Sequence, residues 1–334
     1  MANVLITGAS GFIGSHIVEE SLRLGHTVYA GVRQSSKLNN LPLDKIKVLT
    51  LDLSNQFSLT EQWDKLSNDG IQIDYVIHNA GVTISSNAED FDRINFKYTR
   101  NLYWSFADLN YQPLKFILIS SLAACGPGNA ETLAPITTSD TANPITAYGR
   151  SKLKAEEFLK KQQLIPHVII RPTAVYGPRD KDFLSLFQAL NRGIEPYIGN
   201  QNQVLSFIHV YDLAAIICRI LESNVKNTTY NVSDGQPVTL KEFTQTAKRA
   251  INKPAIPLII PGWLLRLIVN MLEIKTKVTG KPSNLNKDKY KELTAMNWSC
   301  DSGELYKDIN YMPQYNIYNG LPDVLNWYVL HKWL

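Results

Sequence analysis

A glycine-rich turn near the N-terminus is the feature that most limits how this chain can fold. The apolar run 4–6 has the β-branched character of a buried strand, and it leads into Gly8, Gly11 and Gly14 ahead of a helical pattern that reaches residue 24. Glycines in such a turn let strand and helix pack closely and expose bare backbone at the helix N-terminus. The turn therefore predicts a site for the pyrophosphate of a dinucleotide, with a purely structural turn as the alternative interpretation.

Strand and helix patterns alternate over the first 170 residues. Strands are predicted at 4–7, 27–32, 46–50, 73–78, 116–120 and 167–171, and helices at 12–24, 90–109 and 147–162. This alternation predicts an α/β fold of the Rossmann type, a doubly wound parallel sheet covered by helices on both faces. Beyond residue 171 the rhythm breaks into loops, a strand at 204–208, a helix at 212–221 and a mainly helical tail.

The break in this rhythm suggests two domains. We expect a dinucleotide-binding domain over 1–171, to which 205–232 returns. A smaller, mainly helical substrate-binding lobe is expected from 172–204 and 233–334.

Composition and charge exclude several classes of function. The 34 basic and 30 acidic residues give a net charge of +4 without a basic run, which argues against nucleic acid as a partner. Cys125, Cys218 and Cys300 lie far apart in the sequence, which argues against a disulfide framework and a metal site. We therefore expect a cytoplasmic protein without a metal.

The apolar stretch 256–272 raises the question of membrane contact. It is shorter than the roughly 20 apolar residues of a spanning helix, and Pro257, Pro261, Gly262, Arg266 and Asn270 interrupt it. We interpret it as a buried or pocket-lining helix and expect no stable membrane insertion, with membrane contact as the less favoured alternative.

Seven sequence elements occur in the order typical of one enzyme superfamily. They are Gly8-x-x-Gly11-x-x-Gly14, Asp52-Leu53, His78-Asn79-Ala80-Gly81, Ser120-Ser121, Tyr148-x-x-x-Lys152, the run 171–179 beginning Arg171-Pro172-Thr173, and the run 207–214 beginning Phe207-Ile208-His209. The chain resembles the extended short-chain dehydrogenases/reductases, the NAD-dependent epimerase/dehydratase family with its dihydroflavonol-reductase-like and 3β-hydroxysteroid-dehydrogenase-like branch. The resemblance covers nearly the whole chain and implies an enzyme that uses a nicotinamide dinucleotide.

The resemblance also implies which residues contact cofactor and substrate. Cofactor contacts are expected from Gly8, Ser10, Gly11, Phe12, Ile13, Gly14, Arg33, Lys37, Asp52, Leu53, Asn79, Ala80, Gly81, Asn95, Ser120, Tyr148, Lys152, Pro172, Thr173 and Val175. Substrate contacts are expected from Thr83, Leu122, Ala123, Cys125 and Tyr176. For Asn95, a buried packing role is an equally open interpretation.

The end of the second predicted strand bears on cofactor choice. An acidic residue there would accept hydrogen bonds from the adenosine ribose of NAD and repel the 2′-phosphate of NADP. This chain has Val32 at that point, followed by Arg33 and, four residues later, Lys37. The cations favour NADP(H), and NAD(H) stays possible if Arg33 only stacks on the adenine.

Tyr148 and Lys152 are the predicted catalytic pair. Their i, i+4 spacing places both on one face of a helix, where the cation would lower the pKa of the phenol and bind the nicotinamide ribose. Ser121 matches the family position of the hydroxyl that binds the substrate oxygen. Tyr148 would then act as general acid or base during hydride transfer.

Departures from the family pattern favour a less polar substrate. Leu122 and Ala123 stand where sugar dehydratases place an acid pair, and Leu205-Ser206 stands where nucleotide-sugar enzymes usually have Arg-Asp. We therefore predict an NADP(H)-dependent oxidoreductase that acts on an aldehyde, a ketone or a secondary alcohol. The alternative is a nucleotide-sugar epimerase with tightly bound NAD(P). The resemblance further implies that a homodimer is possible.

Overall fold

The structure is a computed structural model that describes residues 1–85, 87–107, 109–279, 283 and 285–334. Its strands are β1 (Asn3–Thr7), β2 (Thr27–Val32), β3 (Lys47–Thr50), β4 (Tyr75–His78), β5 (Lys115–Ile119), β6 (His167–Pro172), β7 (Ala174–Tyr176), β8 (Ile194–Ile198), β9 (Val204–Leu205), β10 (Phe207–His209), β11 (Thr228–Val232), β12 (Val238–Thr239), β13 (Ile256–Ile260) and β14 (Asn297–Trp298). Its helices are α1 (Phe12–Arg23), α2 (Gln56–Asn68), α3 (Ala88–Phe91), α4 (Tyr98–Ala107), α5 (Ala147–Lys160), α6 (Leu184–Asn191), α7 (Val210–Glu222), α8 (Leu240–Ile251), α9 (Gly262–Thr279), α10 (Lys287–Thr294), α11 (Gly303–Asp308) and α12 (Ile317–Leu330). A π-helical turn, Asp92–Lys97, joins α3 to α4, and a 3₁₀ turn, Leu122–Ala124, follows β5.

Seven parallel strands form the main sheet, in the order β3-β2-β1-β4-β5-β6-β11. The chain first runs outward from β1 to β3 and then crosses back to β4 on the other side of β1. A crevice forms beyond the carboxyl ends of the strands at such a switch point, here between β1 and β4. The predicted doubly wound Rossmann-type sheet is confirmed.

Helices cover both faces of this sheet, which explains why its strands are almost continuously apolar. On one face α1 and α7 bury side chains such as Ile17 and Ile217 against β1 and β6. On the other face α2, α4 and α5 pack around Trp63 and Phe106, whose rings stack with centroids 4.6 Å apart. The sheet is therefore buried between two layers of helices.

The rest of the chain builds a smaller lobe with its own aromatic core. α6, α8 and α12 surround Phe187, Phe207 and Phe243, and the last two rings stack with centroids 4.3 Å apart. Three small sheets join the lobe: β7 with β10, β8 with β13, and β9 between β12 and β14. We propose a division into a dinucleotide domain and a substrate lobe near the boundaries expected from the sequence, with Phe207 on the lobe side.

The strand predicted at 204–208 is interrupted in the structure. β9 pairs with β12 and β14, whereas β10 pairs with β7, so the two halves belong to different sheets. The break falls at Ser206, whose buried hydroxyl accepts a hydrogen bond from the Cys300 amide. Of the returning stretch, only β11 joins the main sheet, beside β6.

The interpretation of 256–272 as a buried or pocket-lining helix is wrong. The stretch forms β13 and most of α9, two elements divided at Pro261, and most of its side chains are exposed. β13 pairs with β8, and no other strand of the described residues pairs with it. An apolar run alone does not distinguish a buried element from one that projects from the fold.

Backbone contact at the first turn requires glycine at two positions. Gly8 has a positive φ of 67°, and a Cβ there would lie 2.9 Å from the Ala80 backbone. A Cβ on Gly14 would lie 2.1 Å from the Gly8 carbonyl oxygen. The start of α1 therefore packs directly against the end of β1.

Replacing Gly14 with alanine tests this contact. We expect Gly14→Ala to lower the free energy of unfolding by about 1–3 kcal/mol, because backbone must move to admit the methyl group. Gly262→Ala is the matched control, since a Cβ there meets nothing within 4 Å. Urea denaturation measures both, and equal stability of the two variants would contradict the close packing.

Candidate active site

The N-terminus of α1 forms an open anion site at the sheet's carboxyl edge. Its N-cap is Gly11, which provides no side-chain cap, and the first turn contains no acidic residue. Backbone N–H groups and the positive end of the helix dipole therefore face the crevice. This bare helix N-terminus fits the pyrophosphate of a dinucleotide.

His78 ties the ends of β1 and β4 together beneath that site. One ring nitrogen lies 2.7 Å from the Thr7 hydroxyl, and the other lies 3.0 Å from the Thr99 hydroxyl. Burial lowers the pKa of His78 to about 3, so the ring is neutral. Asn79, the next residue, donates a side-chain hydrogen bond to the Gly8 carbonyl over 3.4 Å.

Two cations lie beyond the end of β2. Val32 is buried, whereas the side chains of Arg33 and Lys37 are exposed. The Arg33 backbone N–H donates to the Ser36 hydroxyl, which bends the loop back. Asp52, after β3, is also exposed, and its carboxylate accepts hydrogen bonds from Ser54.

The start of α5 packs against the 3₁₀ turn that follows Ser121. Thr146 caps the helix by accepting a hydrogen bond from the Gly149 amide over 3.0 Å. Gly149 has no room for a side chain, because a Cβ would lie 2.2 Å from the Ala123 carbonyl oxygen. This close approach brings Tyr148, at the first turn of α5, to Ser121.

Burial sets the protonation of the predicted catalytic pair. It raises the pKa of Tyr148 to about 12, and a hydrogen bond with Ser121 opposes part of that rise. Burial also lowers the pKa of Lys152 to about 8, with the charge of Glu156 opposing the change. The expected lowering of the Tyr148 pKa by Lys152 is therefore not found in this structure, and the phenol keeps its proton at neutral pH.

The position of the Lys152 ammonium explains this result. Its Nζ donates to the Ile119 carbonyl over 2.8 Å and lies 6.0 Å from the centre of the Tyr148 ring. Held on the Ile119 carbonyl at this distance from the ring, the ammonium does not offset the effect of burial on the phenol. A Cβ on Gly81 would lie 3.3 Å from the same Nζ and 3.0 Å from the Asn95 side-chain oxygen, so the loop after β4 packs closely against both side chains.

Asn95 lies on the π-helical turn and fixes the loop after β4. Its side-chain oxygen accepts from the Val82 amide over 2.8 Å, and its amide group donates to the Val82 carbonyl and to the Ser151 hydroxyl. Turns of this kind are frequent at functional sites. Asn95 thereby joins the loop at Gly81 to the helix that carries Tyr148.

A buried ion pair beneath the site was missed by the sequence analysis. Arg171 donates to the Glu156 carboxylate through Nε over 3.0 Å and through Nη2 over 2.6 Å. Ser120 also donates its hydroxyl to Glu156, so Ser121 is the hydroxyl left for the crevice. One sequence signal could have identified Glu156. It lies four residues after Lys152, which places both side chains on one helix face.

The residues expected to contact substrate differ in how exposed they are. Thr83 is exposed and Ala123 is partly exposed, whereas Leu122 and Cys125 are buried with Cys300 in a small apolar cluster. Burial raises the pKa of the Cys125 thiol to about 11, which makes it unreactive. Tyr176 is buried in the lobe core and does not reach the surface.

The last expected cofactor residues follow the end of β6. The Thr173 hydroxyl donates to the Val232 carbonyl over 3.1 Å, and Val175 packs partly buried against the sheet core. Within the described residues, no group of His, Cys, Asp and Glu side chains could hold a metal ion. None of the helices in the same residues is long and apolar enough to cross a membrane.

Removing the buried charge of Lys152 tests its effect on stability. The folded-state pKa lies below the unfolded value, so the charged form costs stability at pH 7, and stability rises with pH between about 8 and 10.5. We expect Lys152→Met to raise the free energy of unfolding at pH 7 by about 1–3 kcal/mol. The variant should also lose the rise above pH 8.

Chemical denaturation at pH 7 and at pH 10 measures both effects. Lys160→Met is the matched control, because Lys160 is exposed at the end of the same helix and should leave stability within about 0.5 kcal/mol. If the Lys152→Met protein is no more stable than the wild type, the conclusion that the buried Lys152 charge destabilises the fold is wrong.

Comparison with known proteins places this site in a family. The profile of the NAD dependent epimerase/dehydratase family matches residues 4–233. The UDP-glucose 4-epimerase of Vibrio cholerae is 29% identical over 293 residues, covering 83% of this chain and 85% of that protein. The ceramide reductase of Caulobacter vibrioides is 25% identical over 334 residues, covering 99% and 96%.

A solved structure shows the same fold over the full length. The UDP-glucose 4-epimerase of Thermotoga maritima, solved with UDP-glucose, superposes with a TM-score of 0.80 at 19% identity and covers 99% of both chains. The profile match spans more than half of the chain, and its residues include the glycine turn, Ser121, Tyr148 and Lys152. The chain therefore belongs to the NAD dependent epimerase/dehydratase family, extended short-chain dehydrogenases/reductases that act on CH–OH and C=O groups with a nicotinamide dinucleotide.

Proposed function

We propose that this protein is an NADP(H)-dependent oxidoreductase that reduces an aldehyde or ketone, or oxidises the corresponding secondary alcohol. The observation that carries the proposal is the protonated phenol of Tyr148 beside the Ser121 hydroxyl, with the Lys152 ammonium 6.0 Å from the centre of its ring. A neutral phenol is the state needed to donate a proton to a carbonyl oxygen.

Each side chain of this group has a distinct task. The nicotinamide, when bound, supplies or accepts the hydride. Ser121 donates a hydrogen bond to the substrate oxygen as negative charge develops on it. Tyr148 donates its proton to that oxygen, and the Lys152 ammonium would hydrogen-bond the ribose of the nicotinamide. Alcohol oxidation reverses these proton movements.

Exposed cations at the end of β2 support NADP(H) over NAD(H). Arg33 and Lys37 both reach solvent there, where a 2′-phosphate would need charged donors. Val32 brings no negative charge to that position. The cation-rich loop thus favours the phosphorylated cofactor.

The surroundings of the site support a substrate of low polarity. Leu122 is buried and offers no acid for water elimination. Ser206 is buried and its hydroxyl is engaged by Cys300, so this position brings no cation to a diphosphate. The full-length similarity to a ceramide reductase agrees with a carbonyl on an apolar molecule.

A nucleotide-sugar epimerase with tightly bound cofactor is the second candidate. It is favoured by the 29% identity with the UDP-glucose 4-epimerase of Vibrio cholerae. Such an enzyme returns the hydride to the same substrate and consumes no cofactor. An oxidoreductase instead releases one oxidised cofactor per carbonyl reduced.

Measurements of cofactor binding and consumption distinguish the two candidate functions. The freshly purified protein is scanned for bound nucleotide by absorbance and then titrated calorimetrically with NADPH and with NADH. An oxidoreductase binds added NADPH and oxidises it when a panel of aldehydes and ketones is supplied. Protein already saturated with NAD(H), together with turnover of a nucleotide sugar without net oxidation, would contradict the proposal.

Tyr148→Phe tests the proton donor. We expect kcat to fall by about 10² or more, because the general acid is lost, while the NADPH dissociation constant stays within about threefold. Tyr318→Phe serves as the matched control, since its hydroxyl contacts Glu242 on the exposed surface of the lobe. Near-normal turnover by the Tyr148 variant would contradict the mechanism.

Arg33→Asp tests the cofactor preference. We expect the NADPH dissociation constant to rise by about 10- to 100-fold, because one charged hydrogen-bond partner contributes about 1.5–3 kcal/mol. Binding of NADH should not weaken. The matched control is Lys226→Asp, an exposed cation before β11. Unchanged NADPH affinity in the Arg33 variant would show that this loop does not select the cofactor.

Two further properties belong to the proposal. The three cysteines are free and buried, which agrees with a reducing compartment, and we place the protein in the cytoplasm. A homodimer is proposed from family resemblance, and analytical ultracentrifugation of the purified protein tests it.

A further inference from the structure

β13 and α9 expose an unusual concentration of large apolar side chains. Isolated exposed apolar residues are ordinary, but a contiguous apolar patch marks a surface that binds something. On α9 the exposed large apolar side chains are Trp263, Leu264, Leu267, Met271 and Ile274. Ile256, Leu258 and Ile259 of the preceding strand are exposed as well, and we call this surface the β13–α9 face.

The α9 helix is apolar on two sides. Leu265 and Val269 are almost fully buried and face the protein. Trp263, Leu267 and Met271 recur every four residues on an outward stripe, and they are 67%, 53% and 70% exposed. An ordinary surface helix carries polar residues on its outer side, so this stripe is built to contact an apolar medium.

Basic residues border this stripe. Residues 253–279 contain four basic residues and one acidic residue, a net charge of +3. At 100° per residue, Arg266 and Lys275 fall on opposite edges of the outward stripe, and both are exposed. The acidic residue, Glu273, pairs with Lys287 over 2.7 Å. An apolar stripe with cations on both edges complements an anionic lipid surface.

We propose that the β13–α9 face docks on the surface of a bilayer containing anionic phospholipids. α9 lies in the plane of the interface, with Trp263, Leu267 and Met271 at the boundary of the acyl chains. Arg266 and Lys275 meet lipid phosphates on either side of it. The attachment is peripheral, since α9 carries too many charges to cross a bilayer.

α10 connects the β13–α9 face to α5, the catalytic helix that carries the proposed proton donor Tyr148. α10 packs against α9, and its residue Lys287 forms the ion pair with Glu273. The neighbouring Asp288 accepts a hydrogen bond from the Ala147 amide over 2.6 Å, at the start of α5 and next to Tyr148. Docking would therefore hold the catalytic helix close to the bilayer surface. The docking itself does not depend on the proposed activity.

Vesicle sedimentation of the full-length protein tests the proposal. The protein is mixed at low salt with sucrose-loaded vesicles of phosphatidylcholine alone, or of phosphatidylcholine with phosphatidylglycerol. We expect partitioning to the anionic vesicles to be about tenfold stronger or more, since each basic residue near the surface contributes about 1 kcal/mol.

Two double variants test the apolar stripe and the basic residues at its edges. Leu267→Glu with Met271→Glu should reduce partitioning to anionic vesicles by about tenfold or more. Arg266→Glu with Lys275→Glu should abolish the preference for anionic vesicles. Phe57→Glu with Leu164→Glu is the matched control, because both side chains are exposed on other parts of the surface. All variants change exposed side chains, and a thermal melt checks that each is folded.

Three results would overturn the proposal. One is wild-type protein that stays in the supernatant with both kinds of vesicle. Another is partitioning that is the same in the wild type and in all variants. The third is a dimer, seen by ultracentrifugation without lipid, that dissociates in the Leu267→Glu, Met271→Glu variant, because a second copy of the chain would then cover the face.

Discussion

Contact between bare backbone segments at the carboxyl edge of the sheet is the constraint on which the rest of the structure depends. Gly14 lies against the Gly8 carbonyl, Gly8 against the Ala80 backbone, and Gly149 against the Ala123 carbonyl. These contacts bring the N-terminus of α1 and the first turn of α5 to the same crevice. A side chain at any of these glycines would move the anion site away from the predicted catalytic residues.

Buried charged side chains lie beneath these contacts and support the site. Lys152, Glu156 and Arg171 are all almost fully buried, and hydrogen bonds from Ser120 and to the Ile119 carbonyl complete the arrangement. Burying such groups is costly, and partners offset the cost only in part, as the lowered pKa of Lys152 shows. The buried Lys152 ammonium, near the protonated Tyr148 phenol, therefore lowers the stability of the fold. Active sites commonly contain groups that destabilise the fold in this way.

Most of the main sheet was predictable because each strand carries its own periodic signal. The predicted strands and helices of the first 170 residues recur in the structure with bounds shifted by a few residues. In this domain α2 was not predicted, and the helix predicted at 90–109 is divided into α3, the π-helical turn and α4. The other errors lie in the lobe. The strand at 204–208 splits at Ser206, and the 256–272 stretch becomes an exposed strand and helix. Partners distant in sequence decide both outcomes, and local patterns do not contain them.

The sequence by itself determined the family, the α/β class and the identity of the residues proposed for chemistry, because motifs such as the glycine turn and Tyr148 with Lys152 are local in the chain. Only the tertiary structure decided how those residues are used. It placed the Lys152 ammonium on the Ile119 carbonyl, engaged Ser120 with Glu156 and left Ser121 for the crevice. The tertiary structure also exposed most side chains of the apolar stretch 256–272. Burial and long-range contact set protonation and exposure, and neither quantity is defined until the chain has folded.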